Sequence, residues 1–357
     1  MFWTHTIAQK EDSKKRSCQK APSEVYLNIS PQKELMMGIY KTIRRVDNKL
    51  LLNIRPEELL EDYKNILNNY NLEVLRFSGG ELHLNIESLN LSPDTSNLSI
   101  YARIENSDDA MIILLLVDAL RKRLGDMLDI SLVLPYLPYS RQDRVCATGD
   151  SFSLEVFARI INSLKLKKVV TFDVHSSVAE QLFDNFENIS VQDSDLRSII
   201  NTSRQTSISP TDVMLVAPDF GSLKRIQKYA SELDSNSNIL ISSKERCPKT
   251  GKIFGFKLYS TGEGLDFDGH LYIVDDICDG GYTFILAAKS IREKMPNIKS
   301  LNLVITHGIF SNGMGVLTER FDTITTMDTI DKDFVYGYDE LSLFKYQIVK
   351  KYFEGDK

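Results

Sequence analysis

The sequence predicts an α/β protein of two domains, each a mostly parallel sheet flanked by helices. Three observations carry that expectation. Short apolar runs rich in Val, Ile and Leu alternate along the chain with helical runs of about 10–15 residues, the pattern of βαβ units. Several of those runs close on an acidic or polar residue just before a helix begins, where open α/β sheets bind ligands. The length of 357 residues, at roughly 150 residues per domain, gives about two domains.

Taken in order, residues 1–48 are polar and mixed in charge, with little apolar periodicity. They are expected to form a partly disordered or peripheral extension, and Glu34 to Arg45 is a candidate helix. Leu50 to Ile54 looks like a strand. Pro56 to Leu67 looks like a helix, with proline and acids in its first turn. Met111 to Val117 is long for a strand, and Asp118 and Arg121 to Arg123 close it, so a buried helix is expected. Ile130 to Leu134 is a strand, Ser153 to Ser163 a helix and Lys168 to Phe172 a strand. Asn188 to Thr211 is rich in Ser, Asp and Asn and reads as a linker with a short helix. It sets the expected division into a first domain at 49–190 and a second at 191–332. Val213 to Ala217 is a strand followed by the helix Ser222 to Leu233. Ile239 to Ser242 and His270 to Val274 are strands, Thr283 to Lys294 a helix and Leu301 to Ile305 another strand. Residues 333–357 are expected to pack back on the first domain.

Composition removes several classes of function. Hydrophobic content is 42% and charged content 26%, the balance of an ordinary globular protein. A net charge of -6 argues against nucleic-acid binding by bulk charge, so any phosphate site must be built locally. No apolar run approaches the roughly 20 residues that span a membrane. Met1 to Arg16 has no apolar core of the signal-peptide kind. The four cysteines are spaced neither as a metal knuckle nor as a disulfide framework, and a reduced cytoplasm suits them.

The strongest motif is Ile273-Val-Asp-Asp-Ile-Cys-Asp-Gly-Gly-Tyr-Thr283. An apolar strand is expected to end in Asp275 and Asp276, followed by a glycine turn and a helix near Thr283. Backbone amides at such a helix start make an anion site. Gly280 and Gly281 let the backbone approach a phosphate, and Thr283 adds a hydroxyl. The two carboxylates suit adjacent ribose hydroxyls, although Asp276 is also a candidate metal ligand. Alone, the run indicates a site for a phosphorylated pentose.

Five further runs surround it. Leu134-Pro-Tyr-Leu-Pro-Tyr-Ser-Arg-Gln-Asp-Arg144 places two planar guanidinium forks just after a strand. Val170-Thr-Phe-Asp-Val-His-Ser176 puts His175 beyond a strand end, and Asp173 either acts there or orients the loop. In Leu215-Val-Ala-Pro-Asp-Phe-Gly-Ser-Leu-Lys-Arg225, Asp219 is a strand-end carboxylate suited to a hard cation, or a helix cap, or both. Ser243 to Lys252 carries Lys244 and Arg246 on a loop that can close over a transferring group or form a plain hairpin. Val74 to Ile86 contains Phe77 and Glu81 around Gly79 and Gly80.

The Asp275 run resembles the phosphoribosyl-binding signature of type I phosphoribosyltransferases. Together with the other runs, in this order from about Val74 to Ile330, it resembles the ribose-phosphate pyrophosphokinase (PRPP synthetase) family. That resemblance implies two phosphoribosyltransferase-like domains and transfer of diphosphate from ATP to the 1-hydroxyl of ribose 5-phosphate. It implies Lys244 and Arg246 as catalytic groups and Phe77, Glu81, Arg141, Gln142, Asp143, Arg144 and His175 as ATP contacts. Asp275, Asp276, Asp279, Gly280, Gly281, Tyr282 and Thr283 would hold ribose 5-phosphate, and His175 and Asp219 would hold Mg²⁺. In the family the Phe77 loop reaches a neighbouring subunit's ATP site, which implies a homo-oligomer, a dimer or a hexamer. Three features depart from the pattern: Gly79 replaces an aspartate, Glu245 replaces a basic residue, and Glu87 to Ser99 differs from the family's regulatory loop. The first loosens the nucleotide contact, and the last implies weak control by phosphate and ADP. Thr306 to Asn312 also resembles a family run, with His307 as a structural corner. The alternatives are a phosphoribosyltransferase that consumes PRPP and a non-catalytic subunit of this family.

Overall fold

The computed structural model describes residues 42–46, 49–52, 72–89, 91–190, 209–233, 239–246, 253–261, 265–313 and 315–329. Among them, two sheets divide the chain. The first is built from β1 (Thr42–Val46), β2 (Lys49–Leu52), β3 (Leu72–Arg76), β4 (Leu82–Leu84), β5 (Asn97–Ala102), β6 (Asp129–Leu134), β7 (Lys168–Phe172) and β8 (Phe186–Ile189), in the order β4-β3-β1-β2-β5-β6-β7-β8. The run from β2 to β8 is parallel, and the other pairs are antiparallel. Its helices are α1 (Ser107–Leu124), α2 (Ser153–Asn162) and the single turn α3 (Ala179–Leu182).

The second sheet is built from β9 (Val213–Ala217), β10 (Ile239–Arg246), β11 (Ile253–Ser260), β12 (His270–Cys278), β13 (Ser300–Gly308) and β14 (Thr323–Thr329), in the order β11-β10-β9-β12-β13-β14. Only the β10–β11 hairpin is antiparallel. The helices α4 (Leu223–Glu232), α5 (Tyr282–Lys294) and α6 (Gly315–Thr318) complete it.

The helix expected at Met111 is the middle of α1. Asn106 accepts from the amides of Asp108 and Asp109 and so caps it, and Gly125 at φ 96° ends it. Two acids in its first turn and three basic residues in its last oppose the helix dipole. Ile112, Ile113, Leu116, Val117 and Leu120 bury one face against Ile100, Ile130 and Leu132 of the sheet.

Three expectations change. Thr42 to Arg45, assigned to a candidate helix, lies in β1, where Thr, Ile and Val suit a pleated strand. Asn188 and Ile189, assigned to the linker, end β8, and Asn188 accepts from the amide of Val174 at 3.0 Å. The strands expected to stop at Ser242 and Val274 continue to Arg246 and Cys278. The Pro56 to Leu67 helix, the 333–357 segment and most of the 188–211 linker lie outside the described residues.

The second sheet is covered on both faces, and period-two alternation sorts its side chains. On β12, Leu271 and Ile273 pack with α5, whereas Tyr272 and Val274 pack with α4. On β13, Leu301, Leu303 and Ile305 face α5 and Val304 faces α4. The same parity carries past the core, so Asp276 and Thr306 fall on the α4 face. We expect Leu303→Ala, at a fully buried position, to cost about 2–5 kcal/mol in urea denaturation. A loss below about 0.5 kcal/mol, typical of surface changes, would contradict this packing.

Candidate active site

The carboxyl ends of β6, β7, β9 and β12 meet where the two sheets adjoin. Asp275 and Asp276, expected to end a strand, lie near the end of β12, which runs two residues further to Cys278. Asp275 is opposite Ile305, and Cys278 opposite Gly308. The polar end of the strand is possible because it faces the other half of the molecule and not the apolar core. Asp276 is buried, and its Oδ2 lies 2.5 Å from Nδ1 of His175 in the loop after β7. Asp173 in the same loop has φ 42°, a left-handed conformation unusual for a side-chain residue. It is held there by an amide bond to Ile189 O at 2.9 Å and by Thr306 Oγ1, which donates to its Oδ2 at 2.6 Å. His307 joins Phe172 O through Nε2 at 2.9 Å and meets the ring of Tyr136 edge-on, a structural joint as expected.

Asp276 and Asp275 divide their charge unequally. Burial opposes ionisation of Asp276, but hydrogen bonding to His175 and the nearby Arg225 guanidinium overcome it and hold its carboxyl far below the usual range. Burial and the charge on Asp276 push Asp275 well above it. The Asp276 contact raises His175 against the effect of its own burial. Arg225, on the first turn of α4, stands 3.7 Å from both Asp173 Oδ2 and Asp276 Oδ1.

The glycine turn follows. Gly281 has φ 75°, and a Cβ there would meet Leu317 at 3.1 Å, so both conformation and space require glycine. Gly281 leaves the amides of the first turn of α5 without a side-chain cap, the arrangement that receives an anion. Tyr282 is exposed and Thr283 half-buried beside them. Asp279 accepts from Ser311 Oγ at 2.6 Å and from Arg141 Nη1 at 2.7 Å. Those two bonds hold its carboxyl below the ordinary range.

Arg141 begins a turn in which Tyr139 has φ 63° and Gln142 N bonds Tyr139 O at 2.8 Å. Gln142 and Arg144 are exposed, and Arg144 pairs with Asp143 at 3.3 Å. Asp219 follows β9. Its Oδ1 accepts from the Ser222 amide at 3.1 Å, which closes the turn before α4; the helix starts at Leu223 and has no side-chain cap, so Asp219 is not its cap. A Cβ at 221 would lie 3.2 Å from that oxygen, and glycine keeps its flank open. Among the described residues, no three His, Cys, Asp or Glu side chains converge as a metal cage.

Lys244 and Arg246 were expected to open a loop. They are the last turn-ward residues of β10 instead, opposite Phe256 and Ile253, with a register shift after Glu245. The antiparallel pairing with β11 extends the strand that far. Residues 247–252 lie outside the described residues. Phe77 and Glu81 bracket the tip between β3 and β4, where Phe77 N bonds Glu81 O at 2.9 Å and Phe77 is exposed. Four strand steps separate β3 from β6, about 19 Å at the usual spacing. Within one chain, the fold therefore does not bring these two residues to the others.

Sequence reasoning gave no role to Arg225, Ser311 or Thr306. Arg225 closed a quoted motif and the other two lay in the Thr306 to Asn312 run, but nothing in the sequence reports contacts between segments 32 to 133 residues apart.

Known proteins resemble this chain in sequence and in fold. Residues 57–164 match the family described as the N-terminal domain of ribose phosphate pyrophosphokinase. A ribose-phosphate pyrophosphokinase of Ureaplasma parvum is 27% identical over 244 residues, covering 66% of this chain and 69% of that protein. One from Mycoplasmopsis pulmonis is 26% identical over 301 residues, 84% of each chain. The crystal structure of phosphoribosylpyrophosphate synthetase from Mycobacterium smegmatis superposes with a TM-score of 0.61 at 19% identity, covering 80% of this chain and 91% of that one.

Cys278, fully buried behind the acids, gives a direct check on the site. Burial, with the charges of Asp275 and Asp279, pushes its thiol up to about 12. At pH 8 roughly 10⁻⁴ of it is thiolate, the reactive form. Iodoacetamide at pH 8 followed by peptide mapping should label exposed Cys146 and leave Cys278 unmodified until the chain is unfolded. Rapid native labelling of Cys278 would contradict the packing of β12 against α5.

Proposed function

We infer that this chain, which belongs to the ribose-phosphate pyrophosphokinase family, transfers the diphosphate of ATP to the 1-hydroxyl of ribose 5-phosphate, giving PRPP and AMP. The contact between His175 and Asp276 carries the reading. It sets a residue of the ATP-facing half against the acid pair of the ribose-phosphate strand, as a two-substrate transfer requires. We place the division between those halves near residue 190.

The uncapped amides at Gly281 to Thr283 take the 5-phosphate, and Asp275 and Asp276 accept from the ribose hydroxyls. Arg141 and Gln142 take ATP, with Asp143 and Arg144 lining the same turn. Lys244 and Arg246, at the end of β10, neutralise charge as the 1-hydroxyl attacks the β-phosphorus in line. Mg²⁺ fits these residues. It prefers oxygen and keeps most of its shell as water and phosphate, and Asp219 offers a strand-end carboxylate flanked by glycine. His175, with Nδ1 turned to Asp276, would join Asp219 in holding it. When bound, the ion screens the phosphate charges. Phe77 and Glu81 serve the ATP site of a second copy, so the working form is at least a dimer, in the cytoplasm. No described helix is long and apolar enough to cross a membrane.

Mixing the protein with Mg²⁺, ATP and ribose 5-phosphate should release AMP and PRPP in equal amounts, with or without added phosphate and ADP. A phosphoribosyltransferase that consumes PRPP, or a non-catalytic subunit, would release no AMP. Lys244→Ala should lower the rate at least about 10²-fold, the usual cost of removing a charge-stabilising donor, with ribose 5-phosphate binding little changed by calorimetry. Unchanged turnover would remove Lys244 from the reaction.

A further inference from the structure

We infer that Arg225 is a positioning residue for this transfer: it is shared by one carboxylate from each half, Asp173 and Asp276, and so fixes the His175 loop against the ribose-phosphate strand. The inference rests on the reading above for the reaction it serves, and on geometry for the contact itself.

Arg225 sits on the helix that follows Asp219, on the face of the sheet to which the parity of β12 and β13 turns Asp276 and Thr306. Its Nη1 is buried and has no hydrogen-bond partner. It stands 3.7 Å from Asp173 Oδ2 and 3.7 Å from Asp276 Oδ1, too far for a hydrogen bond to either. The guanidinium therefore compensates both acids by charge and is committed to neither. Neither acid has another place to go. Asp173 is buried on a left-handed backbone and held by Thr306. Asp276 is buried within β12 and held to His175.

Removing the guanidinium would leave Asp173 buried without a counter-charge and Asp276 with His175 alone, at the joint between the halves. The Asp173 loop would move off β12, and His175, two residues on, would move with it. The residues that grip each substrate would be intact, but their separation would change. Such a defect lowers kcat far more than it raises either KM.

The test uses the full chain as wild type, Arg225→Met, Arg225→Lys, Asp173→Asn and the double variant Arg225→Met/Asp173→Asn. Arg225→Met should lower kcat on the order of 10²-fold, the cost of about 1 Å of misplacement. Both KM values should stay within about threefold. Arg225→Lys should lie between wild type and Arg225→Met, because it restores charge without the fork. Adding Asp173→Asn should recover at least about tenfold, since it removes one uncompensated acid. The proposal fails if Arg225→Met stays within about threefold of wild-type kcat or if the loss appears in KM. It also fails if the double variant is no faster than Arg225→Met. A melting-temperature cycle on the same four proteins needs no activity. The losses of the two single variants should sum to more than the loss of the double, and additive losses would overturn the contact. Should Arg225→Met not fold, Arg225→Lys takes its place in the cycle. If the wild type releases no AMP, the proposed reaction fails, and the melting cycle still decides the contact.

Discussion

The pair of His175 and Asp276 is the constraint on which the rest of the site depends. Among the described residues, each sheet buries its own apolar faces in separate clusters, and the contacts that join the two halves are largely polar. They lie at the strand ends. Asp276 is buried on the face shared with α4, where a carboxylate persists only if it is paired. It finds one partner in His175, from the first half, and another in Arg225, from the second. Asp173, Thr306, His307 and Phe172 extend the same joint.

That dependence explains which parts of the protein were legible in its sequence. A strand whose two faces are apolar reads as a strand, and Val213 to Ala217 was assigned to the residue. The α1 helix was legible because its apolar run is too long for a strand and ends in charges. The surroundings of the strand ends at the joint were not legible. Asp275 and Asp276 were expected at the end of a strand, but nothing in the sequence says that Asp276 faces another segment there. The chain offers no sign of that segment, since the partner of Asp276 lies 101 residues upstream at His175 and that of Asp279 lies 138 upstream at Arg141. The candidate residues were recognisable by type and order; their pairing was not.

Phe77 and Glu81 show the opposite case, residues recognisable in sequence that the fold leaves elsewhere. They crown the β3–β4 hairpin at the edge of the first sheet, beyond the antiparallel strands and away from β6 and β7. Phe77 is exposed at the hairpin tip, its ring centroid 5.9 Å from that of His83. A Cβ at Gly79 would meet nothing within 4 Å, so the glycine found there is not a steric requirement of the hairpin. The proposed role of the tip therefore rests on a second copy and not on any contact within this half of the chain.

Charge balance then accounts for how an acidic protein holds polyphosphates. The chain carries a net charge of -6, yet the site does not share that bias. Asp275 is held toward its neutral form by burial and by the charge on Asp276. That leaves Asp173, Asp276 and Asp279 facing Arg141, Arg225 and His175, whose charged form Asp276 favours. Those three acids are matched by three bases, and Asp219 stands as a further carboxylate of the site. The amides at Gly281 then add positive potential, and the one acid of the glycine turn, Asp279, is already paired. The acids of the site thus serve to hold its bases in place, and the phosphate-binding potential comes from what they leave uncancelled.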